Sequence, residues 1–235
     1  FFLTYSPILF LILLLGLLSL GKTIRGPAIT AAVDAQAAVA QAWDAIARGT
    51  IYADLSTAPP SLKVDLNDTA TLRGLQFADV ALMAPVSGRG LATPSYDSGA
   101  GAVSYAEAVN PFGAQVEVVG DVAGTAATRK LIRSVFMKGL TAVLIEATRT
   151  AEAAGEGEWF WEHVADVVGD ADEELLARMV SSTATHSTRR REEMEAATQL
   201  LEILGVDPVM TRSTVESLRR IPEEGVPAVG IDSVP

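Results

Sequence analysis

The strand-forming pattern of this chain stops at Gly120, and that break constrains the fold more than any other feature. Before it, short apolar runs alternate with helical stretches. Ile29–Val33 reads as a strand, 35–48 as an alanine-rich helix closed by Gly49, and Thr50–Leu55 as the next strand. Pro59-Pro60 opens another helix, with proline at a position typical of a first turn. Leu75–Met83 is a third strand, and the loop Pro85-Val86-Ser87-Gly88-Arg89-Gly90 follows it. Ser95–Ser98 and Gln115–Val119 flank a helix over Ala102–Val109. Beyond Gly120 the periodicity is helical throughout. One long amphipathic helix covers Thr125–Ala154, and further helices lie near 159–168, 172–184, 187–204 and 211–220. The expected architecture is an α/β domain, its sheet at least partly parallel, joined by a long helix to an all-helical domain. The tail after Pro222 is expected to be irregular.

Composition removes several functions. A formal net charge of −11 argues against general nucleic-acid binding, because no broad cationic surface can neutralise phosphates. The absence of cysteine excludes disulfides, thiolate catalysis and thiolate-held metals. His163 and His186 have no helical pairing, so no histidine-based metal site is expected and only an all-carboxylate one stays open. Trp159, Phe160 and Trp161 read as core of the helical domain.

The first 28 residues are of another kind. Residues 1–21 are almost continuously apolar and are followed by Lys22 and Arg25. That length can span a bilayer, and the downstream cations would keep the rest of the chain in the cytoplasm. The other reading is an artefact, since the chain begins without methionine. Gly16–Thr23, GLLSLGKT, also satisfies phosphate-loop spacing, with Asp54 as a magnesium-side acid. Leucines fill three of the four intervening positions, where a phosphate cradle needs small or polar residues, so the match is read as chance.

Lys130, Arg133, Ser134 and Lys138 fall within one sector of the long helix. A lysine that is desolvated or crowded by cations gives up its proton more easily and can serve as an acid or base. A solvated basic face is the competing reading.

Four stretches carry a resemblance to the 6-phosphogluconate and 3-hydroxyisobutyrate dehydrogenase superfamily of β-hydroxyacid dehydrogenases. They are IYADLSTAPP (51–60), APVSGRG (84–90), GTAATRKLIRSVFMKG (124–139) and HSTRRREEMEAATQLLEILGV (186–206). The last resembles the branch whose helical C-terminal domain is phosphogluconate-dehydrogenase-like. The resemblance implies a partial Rossmann-type domain over 29–122, a helical substrate and dimerisation domain over 123–222, and an irregular tail over 223–235. It implies NAD or NADP as cofactor and a small 3-hydroxy acid as substrate, in a cytoplasmic homodimer. Lys130 would be the catalytic acid/base, and Ser87, Gly88, Arg89, Ser134 and Lys138 would hold the substrate. Ser134 stands where many members have asparagine, and Arg89 replaces a glycine. Ser56 and Thr57 would lie beside the nicotinamide; simple capping of the next helix is the competing role, and it would hold even in an active enzyme. Arg190 would bind a phosphate or an anionic substrate. The chain contains no GxGxxG, the turn that seats the dinucleotide in this family. The N-terminal part of the Rossmann unit is therefore expected to be missing, and NAD(P) binding to be poor. The alternative is a non-catalytic remnant, membrane-tethered through residues 1–21 or dimerising through its helical core.

Overall fold

The computed structural model describes residues 28–30, 40, 43 and 46–229. The apolar leader, its phosphate-loop spacing and most of the helix expected over 35–48 lie outside the described residues. Among those described, no helix is long and apolar enough to cross a membrane. The chain divides into two compact units, one through Val135 and one from Phe136.

The first unit is built on a five-stranded sheet: β1 (Ala28–Thr30), β2 (Ile51–Asp54), β3 (Gln76–Leu82), β4 (Pro94–Ser98) and β5 (Gln115–Gly120). The strands lie side by side in chain order. β1, β2 and β3 run parallel, β4 is antiparallel to β3, and β5 is parallel to β4. Helices α1 (Pro60–Leu72) and α2 (Ala102–Val109) make the crossovers that the parallel pairs β2–β3 and β4–β5 require. Alternation along the strands sorts the side chains onto two faces. Tyr52 and Phe77 pack with Leu66 and Ala70 of α1 on one face, while Ala53, Ala78 and Val80 pack with Tyr105 of α2 on the other. Gly99 and Gly101 join β4 to α2, and a β-carbon on either would come within 2.8 or 2.9 Å of the Phe77 carbonyl oxygen. Close packing on the start of β3 thus requires both glycines.

Helix α3 (Thr125–Ala154) begins in the first unit and ends in the second, which also holds α4 (Gly157–Gly169), α5 (Glu173–Ile203) and α6 (Val209–Glu224). Within the second unit, Glu146 on α3 receives the N-terminus of α6. Its carboxylate accepts from the amides of Met210 and Thr211 at 2.7 and 2.8 Å and from the Thr211 hydroxyl at 2.6 Å. A groove of about 430 Å³ runs between these helices, lined by Trp159, Phe160, Met194, Leu201 and Met210.

Three expectations for the helical half are corrected. The helices read at 172–184 and 187–204 are one continuous α5. Across the Ser/Thr-rich stretch 181–188, Ser182 and Thr183 donate back to the carbonyls of Arg178 and Met179 and the helix carries on. α6 continues through Pro222 to Glu224, so the irregular tail starts later than expected. Trp159 and Trp161 are 59% and 51% exposed and are not core.

Candidate active site

The site elements meet at the C-terminal ends of β2 and β3, the edge where open α/β sheets bind their ligands. Pairing places Asp54 of β2 beside Asp79 of β3, and Asp79 opposite Ser98 of β4. These three polar side chains form one row on the face covered by α1, and all are 0% exposed. Two adjacent buried carboxylates repel unless compensated. Lys63 of α1, itself 1% exposed, supplies the compensation. Its ammonium lies 2.8 Å from Asp54 Oδ2 and 3.2 Å from Asp79 Oδ1. It also donates to the carbonyl oxygens of Asp54 (3.1 Å) and Ser56 (2.9 Å).

The remaining negative charge faces the start of α3. Asp79 Oδ2 accepts from the amides of Gly124 (3.1 Å) and Ala127 (3.0 Å), and Ser98 Oγ accepts from that of Ala126 (3.0 Å). A helix N-terminus carries about half a positive charge and free amides, so it suits a carboxylate. Gly124, at φ 93°, allows this approach, because a β-carbon there would come within 3.0 Å of the Pro60 carbonyl oxygen. Three residues after Gly124 the helix is on Asp79, and two further on the Arg129 guanidinium lies over the Tyr96 ring at 5.7 Å. Tyr96 pairs with Ala81, near the end of β3. The helix therefore advances toward the C-terminal end of β3, and Lys130 is its next residue.

Lys130 and Ser134 are half-buried on α3, Arg133 and Lys138 are exposed, and Lys138 falls beyond the first unit. Ser87, Gly88 and Arg89 are exposed on the loop that leaves β3. That loop is closed at its base by the Met83 amide on the Pro94 carbonyl (2.8 Å), and is turned by Gly88 at φ 78° and Gly90 at φ 53°.

Ser56 is buried, and both its amide (3.1 Å) and its hydroxyl (2.8 Å) are directed at the Asp54 carboxylate. Neither Ser56 nor Thr57 caps α1, whose N-cap is Pro59 without a side-chain hydrogen bond. Ser56 instead fixes the turn that leaves Thr57 at the surface. Asp54, considered as a magnesium-side acid, is taken up by Lys63 and Ser56. Arg190 lies on α5 and donates to Ser182 Oγ (2.9 Å), to Thr183 Oγ1 and to the Met179 carbonyl (3.2 Å). The last is 11 residues back, where a straight helix would rise about 16 Å, so α5 bends toward this side chain.

Lys63 and Asp79 are absent from the sequence-based site. Their signal is a phase error: Lys63 shares the buried side of α1 with Leu66 and Ala70, and Asp79 interrupts an apolar strand at an inward position.

A family model described as a domain of unknown function, DUF1932, matches residues 151–221. The uncharacterized 28.5 kDa protein in the 7S RNA 5′ region of Methanothermus fervidus is 30% identical over 112 residues, which cover 48% of this chain and 45% of that protein. The match thus spans less than half of the relative's length. A conserved protein of unknown function, reported to be structurally similar to 3-hydroxyacid dehydrogenases, is 26% identical with a TM-score of 0.50, over 82% of this chain and 73% of that one. An imine reductase from Myxococcus stipitatus, solved in complex with NADP+, has the same fold at 17% identity and a TM-score of 0.69, over 84% of this chain and 77% of that one. With its partly parallel sheet, its long α3 and the matched helical half, the chain shares the fold of these solved structures, and its helical half is similar to the DUF1932 model.

Proposed function

We propose that this chain carries the substrate half of an NAD(P)-dependent oxidoreductase of the β-hydroxyacid dehydrogenase type. The observation that carries the reading is the course of α3. Anchored on Asp79 and carrying Arg129 over Tyr96, it heads toward the C-terminal end of β3, which supports a position for Lys130 near the edge that the Ser56–Thr57 turn and the Ser87–Arg89 loop leave. Oxidation of a secondary alcohol requires a group that removes the hydroxyl proton as the carbonyl forms, and a half-buried lysine at this edge is suited to that role. Ser87 and the Gly88 amide offer donors to a substrate carboxylate, and Arg89 offers a charge-assisted contact. In this reading Ser134, one turn beyond Lys130, donates to a substrate oxygen.

NAD(P), when bound, takes up or supplies the hydride. The described residues fit only its nicotinamide end, at Thr57. The Gly99–Gly101 turn before α2 is filled by the Phe77 carbonyl and leaves no room for a pyrophosphate, and in the Gly120–Gly124 turn before α3 the Gly124 amide is already taken by Asp79. Arg190, held by Ser182 and Thr183, would have to release them to bind a phosphate. The reading is tested by following NADPH consumption at millimolar cofactor with short 3-oxo acids, and NADP+ reduction with the matching hydroxy acids. Turnover that depends on Lys130 supports it; binding without turnover favours a non-catalytic remnant.

A further inference from the structure

We propose that Lys63 is a positioning residue that locks the Ser56–Thr57 turn and the N-terminus of the Lys130 helix into one unit; this rests on the oxidoreductase reading above. At 1% exposure, Lys63 cannot reach a substrate, and its contacts account for it fully. What they join is informative. Through the carbonyls of Asp54 and Ser56 the ammonium grips the turn that ends in Thr57. Through Asp79 it grips the carboxylate that holds the first amides of α3. The two gripped segments are more than 60 residues apart in the chain, and each carries a proposed site residue.

A simpler sequence would fold without this arrangement. A serine or aspartate next to Gly124 would cap α3 locally, and apolar residues in place of a buried ion cluster are often neutral or stabilising. A local cap, however, leaves a helix free to rotate and slide on the sheet. A cap supplied by β3 ties its first turn to a fixed strand position. Lys63 then sets the spacing between that strand position and the end of β2. The distance between hydride acceptor and proton acceptor is thereby fixed by a buried side chain that touches neither reactant.

The test uses Lys63→Met, Lys63→Arg and the double variant Asp54→Asn/Lys63→Met. The double variant removes one charge of each sign and remains informative if the single methionine variant does not fold. Amide hydrogen exchange is read at Ser56, Gly124, Ala126 and Ala127, with the β2–β3 ladder as control. Steady-state kinetics use NADPH and a short 3-oxo acid. The expected result is exchange faster by about tenfold or more at both segments, with the ladder unchanged. The kcat is expected to fall by about tenfold or more while KM changes by less than about threefold, and Lys63→Arg restores part of both. Acceleration confined to the Ser56 side, or an unchanged kcat in a folded variant, overturns the proposal. If the unmodified chain shows no turnover, the oxidoreductase reading fails, and the exchange data still decide whether Lys63 couples the two segments.

Discussion

Asp97 stands directly across from Val80 in the antiparallel β3–β4 pair, a carboxyl group in a position that the neighbouring strand gives to an aliphatic side chain. It is 0% exposed, and neither of its oxygens has a hydrogen-bond partner among the described residues. Burial pushes its pKa up to about 8; the Ser98 amide pulls the other way without a well-directed hydrogen bond, Asp79 raises the value and Lys63 lowers it. The unfolded chain ionises this group near pH 3.8, whereas the fold holds its proton until about pH 8. The contribution to stability is therefore complete below the lower value and is lost progressively up to the higher one. Thermal melts between about pH 5 and about pH 8 should show a Tm that falls with pH, and Asp97→Asn should flatten that slope. Parallel slopes for the two proteins would refute this protonation state.

Lys130→Ala is expected to lower kcat for 3-oxo acid reduction by about 10²–10⁴-fold, the usual contribution of a positioned acid or base. Lys130→Arg should be equally impaired, because arginine keeps the charge but does not exchange a proton near neutral pH. Steady-state rates for the two variants check this, and an active arginine variant would assign Lys130 an electrostatic role instead.

Glu146 ties α6 to α3 within the helical unit. Burial alone would raise its pKa, but hydrogen bonds from the Thr211 hydroxyl and from the Met210, Thr211 and Val209 amides hold it below the ordinary carboxylate value. Its contribution is thus present above the unfolded value of 4.5 and is lost as pH falls through the depressed folded value. Glu146→Gln should cost roughly 1–3 kcal/mol at neutral pH, with the difference shrinking in acid. Denaturant melts at two pH values measure it.

The helical unit exposes Trp159, Trp161, Met179 and Ile203, the last at 83%. Large apolar side chains displayed on one unit support self-association, and a homodimer is the expected state. Light scattering should give twice the chain mass. Ile203→Glu with Trp161→Glu should halve it while leaving the far-UV circular dichroism intact. A monomeric parent chain would end this expectation.

Local signals in the chain already outlined much of this fold. Ala102–Val109 and Thr125–Ala154 have the bounds read from glycine punctuation and helical period, because those signals are local. The alternation of strands and helices carried the partly parallel sheet for the same reason. The Ser56–Thr57 turn and the Ser87–Arg89 loop were legible as motifs, but the ion cluster beneath the first of them was not. Asp54, Asp79 and Lys63 meet only once strand register and the rotation of α1 are set, and neither is written in local spacing. The unbroken α5 was hidden because hydroxyl side chains that look like a helix end can donate back to the preceding turn. Arg190 closes over two of them from the next stretch of helix.

The burial of Lys63 also has an analytical consequence. The chain has four lysines, Lys22, Lys63, Lys130 and Lys138. With Lys63 sealed beneath α1, an amine-directed acylating reagent applied to the native protein should leave it unlabelled until the sheet opens. The same residue that braces the site then becomes a built-in clock for global unfolding, readable by mass spectrometry in a single peptide.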